Sequence, residues 1–319
     1  MKSLEHLRRT LGRLSVAASI ATFALIVFGG IVRITGSGMG CGDDWPLCNG
    51  QLIPPMDLPT LIEYGHRLAA LLVSGLVGAV ALVAWMVRWR DTVADTSTGT
   101  GSRLWRLAAT AVVLLVLQIL LGAVTVWLEL PAASVILHLG TAMLLLATLI
   151  VISSEAYGPG RNRVDDRAER LASWTGLASL AVVLLGALTA NLDAGFACQG
   201  FPLCNGSILP GGDGNPLVLV HWTHRVAAYA LVAWCVVLPA VIGRSRPADR
   251  GLLFPARATA VIAVVQLAVG AAMVLMSLPG ELRAAHVGLG AAVFVAAVRL
   301  AWIARFPVPG QPIDSSRVT

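Results

Sequence analysis

Five histidines lie in or at the ends of apolar stretches, namely His66, His138, His221, His224 and His286, while His6 belongs to a polar tail. Four of them match in pairs across two similar halves of the chain: His66 with His224, and His138 with His286. Each falls within a turn or two of the same end of its apolar stretch. Ionisable side chains inside a membrane are costly, so four imidazoles at one depth point to function rather than packing. Imidazole is a common metal ligand, and histidines on facing helices suit the two axial positions of a haem iron. A bare metal ion fits less well, because no carboxylate or thiolate co-ligands accompany the four.

Pairing within each half, His66 with His138 and His224 with His286, defines two sites. Arg67 and Arg225 directly follow their histidines, and Arg33 and Arg283 lie at similar depth. Guanidinium groups placed there would partner propionate carboxylates; the alternative is plain snorkelling to the interface. Three residues before His66 stands Glu63, where the second half has His221. At i, i+3 the two share a helix face, so Glu63 is expected to project toward the first pocket. That carboxylate would make the first site catalytic and leave the second as an electron carrier. The bland alternative is a Glu63 wetted at the interface and paired with Arg67.

The elements that must position these groups are membrane helices. Of 319 residues, 57% are hydrophobic and 13% charged, where soluble domains carry about a quarter charged. Apolar stretches run at about 12–34, 62–87, 104–128, 133–153, 171–191, 217–242, 254–277 and 282–304. At 1.5 Å per residue each crosses a hydrocarbon core of about 30 Å. The first is too long for a signal h-region and no small-residue cleavage site follows it, so it reads as an uncleaved helix. The net charge of +6 is a matter of topology. Segments on one side hold nearly all the Arg and Lys, from Lys2, Arg8, Arg9 and Arg13 through Arg161 and Arg163 to Arg317. The opposite loops, about 35–61, 129–132, 192–216 and 278–281, hold none. Both termini are therefore expected in the cytoplasm, and no nucleic-acid partner is implied.

An internal repeat organises the chain. GCGDDWPLCNGQLIPP (40–55) matches ACQGFPLCNGSILPG (197–211), EYGHRLAA (63–70) matches HWTHRVAA (221–228), and LQILLGAV (117–124) matches VQLAVGAA (265–272). The expected fold is an all-α membrane protein: eight transmembrane helices as two pseudo-symmetric four-helix bundles in a parallel repeat. The halves would be 1–153 and 171–319, joined by a cytoplasmic linker at 154–170. Cys41 with Cys48 and Cys198 with Cys204 read as one disulfide per outer loop, either a structural clip or a redox-active pair; neither has the usual two-residue spacing of exchange motifs. Cys235 reads as a small packing residue. Gln118 and Gln266, each with a glycine four residues on, read as interhelical hydrogen-bonding positions.

With EYGHR at 63–67, HR at 224–225, single histidines at 138 and 286 and the two loop cysteine pairs, essentially the whole chain resembles the bacterial haem A synthases. The resemblance implies oxidation of the C8 methyl of haem O to a formyl group through an alcohol. It places the substrate haem near His66, Arg67 and His138, with Glu63 at the family's essential acidic position. It places a haem b cofactor between His224 and His286, beside Arg225. Cys41 and Cys48 match a pair linked to function in bacterial members, and His221 is left unassigned. Implied partners are haem O, haem O synthase and a quinone or other electron acceptor, in the plasma membrane of a bacterium; a homo-oligomer stays open. A di-haem, quinone-linked cytochrome b fits the four histidines equally, but not the unmatched Glu63.

Overall fold

Long runs of Leu, Val, Ala and Ile close into helices because hydrocarbon offers the backbone no other hydrogen-bond partner. The computed structural model describes residues 2–55, 57–93, 99–158, 167–210, 214–245 and 250–305. It contains α1 (Lys2–Ile34), α2 (Leu58–Val93), α3 (Thr100–Trp127), α4 (Ala132–Tyr157), α5 (Arg167–Asn191), a 3-10 turn (Ala194–Phe196), α6 (Pro216–Ser245), α7 (Arg250–Leu275) and α8 (Gly280–Ala304). All eight α-helices are long and apolar enough to cross a membrane. Their outward faces carry Ile20, Leu71, Val113 and Phe254, all more than half exposed, as a lipid-facing surface requires.

Each expected span has its helix, but α1 starts ten residues before the apolar run and α2 ends six after it. Polar side chains explain the excess. At the end of the molecule that carries both termini, Arg8 pairs with Asp91 (3.4 Å), Arg103 with Glu155 (3.2 Å), and Arg305 with Glu169 (3.0 Å). Asp91 also accepts the Gly101 N–H at 3.0 Å, tying α2 to the start of α3. The expected linker shrinks, since α4 continues to Tyr157 and α5 begins at Arg167. Its centre, with Arg161 and Arg163, lies outside the described residues, as do Arg246 and Arg317.

Helices α1 and α3 each pack on both α2 and α4, and α5 and α7 each pack on both α6 and α8. Across the seam, α1 lies against α8, and α4 lies against both α5 and α8. Near the termini each group is filled with apolar side chains: Leu11, Val77, Leu104 and Leu149 in one, Leu238, Ile242, Leu252 and Leu300 in the other. Ile26, Met143, Leu146, Ala291 and Phe294 fill the seam. The histidines lie beyond these plugs, toward the opposite, loop-bearing face.

On that face the repeated CNG motif has a simple cause. Asn49 (φ 51°) and Gly50 (φ 72°) form a two-residue turn with both φ positive, as do Asn205 (φ 53°) and Gly206 (φ 78°). Cys48 and Gln51 exchange backbone hydrogen bonds across the first, and Cys204 and Ser207 across the second, which makes each a miniature hairpin. Both expected disulfides are present, Cys41–Cys48 and Cys198–Cys204, and Cys235 is free and buried.

Candidate functional site

The four matched histidines each lean on a glycine of a neighbouring helix. A Cβ on Gly29 of α1 would sit 3.2 Å from Cε1 of His66 on α2, and one on Gly122 of α3 would sit 3.1 Å from Cε1 of His138 on α4. In the second half, Gly186 of α5 faces His224 on α6 at 2.9 Å, and Gly270 of α7 faces His286 on α8 at 2.9 Å. Any side chain at these glycines would displace the ring. The rings lie six to eight residues inside their helices, about 9–12 Å from the loop-side ends. His66 also meets Phe28 edge-on, with ring centres 5.7 Å apart.

All four Nδ1 atoms are buried without a well-formed hydrogen bond among the described residues. The ring centres of His224 and His286 are 6.5 Å apart at 82°. Two imidazoles on opposite sides of one metal ion, with bonds of about 2 Å, place their ring centres roughly 6 Å apart. The separation of the second pair matches that spacing.

The first pair differs in one contact. Nε2 of Gln118 lies 2.9 Å from Nε2 of His138, whereas Gln266 donates to the backbone oxygen of His286 at 3.0 Å and leaves that ring free. The glutamines are thus interhelical, but only one engages a matched histidine's ring.

Glu63 is taken up by Arg67 and the first loop. It is 4% exposed, and its carboxylate takes Arg67 at 2.5 Å and the Cys41 N–H at 2.8 Å. Arg67 continues to the carbonyls of Asp44 (2.8 Å) and Leu47 (2.5 Å). Glu63 is paired with Arg67, as the bland alternative had it, yet buried rather than wetted. In the second half, His221 receives the Cys198 N–H at 3.3 Å and Arg225 Nε at 3.1 Å. Arg225 also donates to the carbonyls of Cys198, Gly200 and Leu203 at 2.7–3.0 Å. Each disulfide loop is thus clamped onto its histidine helix by one arginine and one acceptor. Arg67 and Arg225 thus tie their loops to Glu63 and His221, which makes both positioning residues for the loops.

His221 is an imperfect acceptor. A neutral imidazole has one N–H and one lone pair, yet donors approach both of its ring nitrogens. Changing His221→Glu supplies two acceptor oxygens, as at Glu63, and is expected to stabilise the protein by about 1 kcal/mol. Thermal unfolding in detergent should rise for His221→Glu and fall for His221→Ala; a fall in both would refute the mismatch.

The glycine seats of α1 and α5 were not singled out by motif reading, although Gly29 and Gly186 occupy matching places in the repeat. Nor was the pairing of each loop with an acceptor, whose only trace was the Glu63–His221 correspondence.

Comparison with known proteins agrees with the arrangement. The family model COX15-CtaA, described as cytochrome oxidase assembly protein, matches residues 12–298. A haem A synthase of Alkalihalophilus pseudofirmus is 34% identical over 230 residues, 70% of this chain and 73% of its own. One from Bacillus licheniformis is 28% identical over 293 residues, covering 88% of this chain and 91% of the relative. One from Symbiobacterium thermophilum is 33% identical over 232 residues, 69% and 71% of the two chains. With eight membrane-crossing helices, paired histidines and a match over most of its length, this chain belongs to the COX15-CtaA family of cytochrome oxidase assembly proteins.

Proposed function

We propose that the protein is a haem A synthase, a multi-pass membrane oxidoreductase that converts the C8 methyl of haem O to a formyl group through an alcohol. The observation that carries this reading is the pair of histidine sites at one depth, each ring held by a glycine, in a chain that shares a third of its residues with haem A synthases over most of its length. Haem O is the substrate, its ring entering between α2 and α4 near His66 and His138 while its isoprenoid tail stays in lipid. A haem b on His224 and His286 supplies one-electron transfer between the first site and an acceptor such as a quinone. The halves are two similar bundles, and the basic segments place both termini in the cytoplasm.

The chain's own residues have separable tasks. Gly29, Gly122, Gly186 and Gly270 orient the imidazoles. Gln118 engages the Nε2 of His138 and would release it if that ring held a haem, which suits a site whose occupant comes and goes. The free ring of His286 suits a permanent one. Glu63 lies beside the first loop, where it can accept a proton from the water that supplies the formyl oxygen, while the electrons pass to the acceptor. Arg67 pairs with that carboxylate and holds the first loop closed against α2.

The test is pigment analysis. The protein is expressed in membranes that make haem O, haems are extracted with acidified solvent, and chromatography with mass measurement identifies them. Haem A is expected with the wild type; haem b alone, with haem O unaltered, would move the protein to the electron-transfer reading.

A further inference from the structure

The seam between the halves carries a charge arrangement that the proposed chemistry does not use. Arg33 of α1 and Arg283 of α8 stand on helices that pack against each other. Packing fixes their common level. Ile34 lies beside Gly280 on the loop side of the pair, and Gly30 meets Val287 (3.1 Å to its Cγ1) on the other. Arg33 is one turn loopward of Gly29, the seat of His66, and Arg283 is three residues loopward of His286. The two guanidiniums therefore stand between the two histidine pairs, each above one of them.

Their compensation is incomplete. Arg33 donates from Nε to Asn191 Oδ1 at 3.0 Å and lies 3.5 Å from Asp193, a carboxylate 95% exposed to solvent. Arg283 is partly buried, and its guanidinium has no hydrogen-bond or ion-pair acceptor among the described residues. Like charges held together at low dielectric are unfavourable unless an anion is shared between them. The repeat sharpens the point. Counting from Gly29 and Gly186, position 33 corresponds to Ala190; counting from His138 and His286, position 283 corresponds to Val135. The matching seam between α4 and α5 is therefore apolar, and the cation pair is unique to the α1–α8 side.

We infer that Arg33 and Arg283 form a two-guanidinium seat for carboxylate, which holds porphyrin propionates at the seam between the two histidine sites. The inference rests on the haem reading above. A lipid phosphate offers similar chemistry, and the experiment separates the two.

The experiment uses full-length protein carrying His138→Ala, so that only the His224–His286 pair retains both ligands. Haem-depleted protein in neutral detergent is titrated with haem b and with haem b dimethyl ester, following the Soret band. With Arg283 present the ester should bind at least ~10-fold more weakly than the free acid. In Arg283→Gln that preference should collapse to about 2-fold or less, with ester affinity unchanged, and Arg283→Lys should recover part of it. Unchanged ester affinity shows that the variant remains folded. An equal acid-to-ester preference with and without Arg283 overturns the inference. So does an anionic phospholipid that co-purifies with the parent, is lost from Arg283→Gln and leaves the preference unaltered. Failure of either porphyrin to bind the parent would instead strike at the haem reading itself.

Discussion

Glu63→Ala is expected to lower haem A formation by at least ~100-fold while the haem on His224 and His286 remains bound. The carboxylate is buried and its contacts are Arg67 and the Cys41 N–H. Removing it leaves a buried guanidinium without its counter-charge and an amide without its acceptor, together costing several kcal/mol locally. Glu63→Gln separates the two roles of the residue. The amide oxygen still accepts one hydrogen bond, so the loop stays close to native, but no proton can be taken up. Loss of turnover in Glu63→Gln as deep as in Glu63→Ala, with the reduced-minus-oxidised haem spectrum unchanged, identifies proton acceptance as the task. Recovery to more than half of wild-type output in Glu63→Gln would reduce Glu63 to a loop clamp. Normal output from Glu63→Ala would remove it from the reaction altogether.

The second large effect concerns residues with no side chain. A Cβ at Gly186 or Gly270 would stand 2.9 Å from Cε1 of His224 or His286. The helix backbone is rigid, so the imidazole has to swing, and a ligating ring moved off its axis loses metal affinity by about 10–100-fold. Gly186→Ala and Gly270→Ala should therefore purify with little haem yet unfold normally. Gly75→Ala is the control: its Cβ meets nothing within 4 Å, and relief of glycine's helix penalty should leave stability equal or higher by up to ~1 kcal/mol. Gly29→Ala and Gly122→Ala, with contacts of 3.2 and 3.1 Å, should act more mildly and on the first site, raising the KM for haem O. Full haem occupancy in Gly186→Ala would show that the seats do not orient the rings.

Much of this architecture was legible before any coordinates. Spans are legible because apolar length alone decides whether a helix can cross a bilayer, and the ends of α1 and α2 were missed because their last turns are polar and held by ion pairs such as Arg8–Asp91. The histidine pairs were legible through the repeat. The loop partner of Glu63 was not. Helical spacing states which face a residue shares, but not that a loop 22 residues earlier will fold back and present the Cys41 N–H to it. The same limit applies to Arg67 and Arg225, whose guanidiniums find carbonyls that only the closed hairpins assemble. Gly122 and Gly270 were noticed through the glutamines before them, while Gly29 and Gly186 look like ordinary small residues until a ring is seen resting on each.

The apolar plugs formed by Leu11, Val77, Leu104 and Leu149 and by Leu238, Ile242, Leu252 and Leu300 fill both bundles on the side away from the histidines. Charge exchanged between the histidine sites and the loop-side water crosses only a small part of the bilayer. Moving one charge through the whole membrane against 100 mV takes about 2.3 kcal/mol, so a short path near one surface takes a small fraction of that. The catalytic cycle is therefore expected to be nearly electrically silent, and collapsing the membrane potential with an ionophore should leave the rate of haem conversion unchanged.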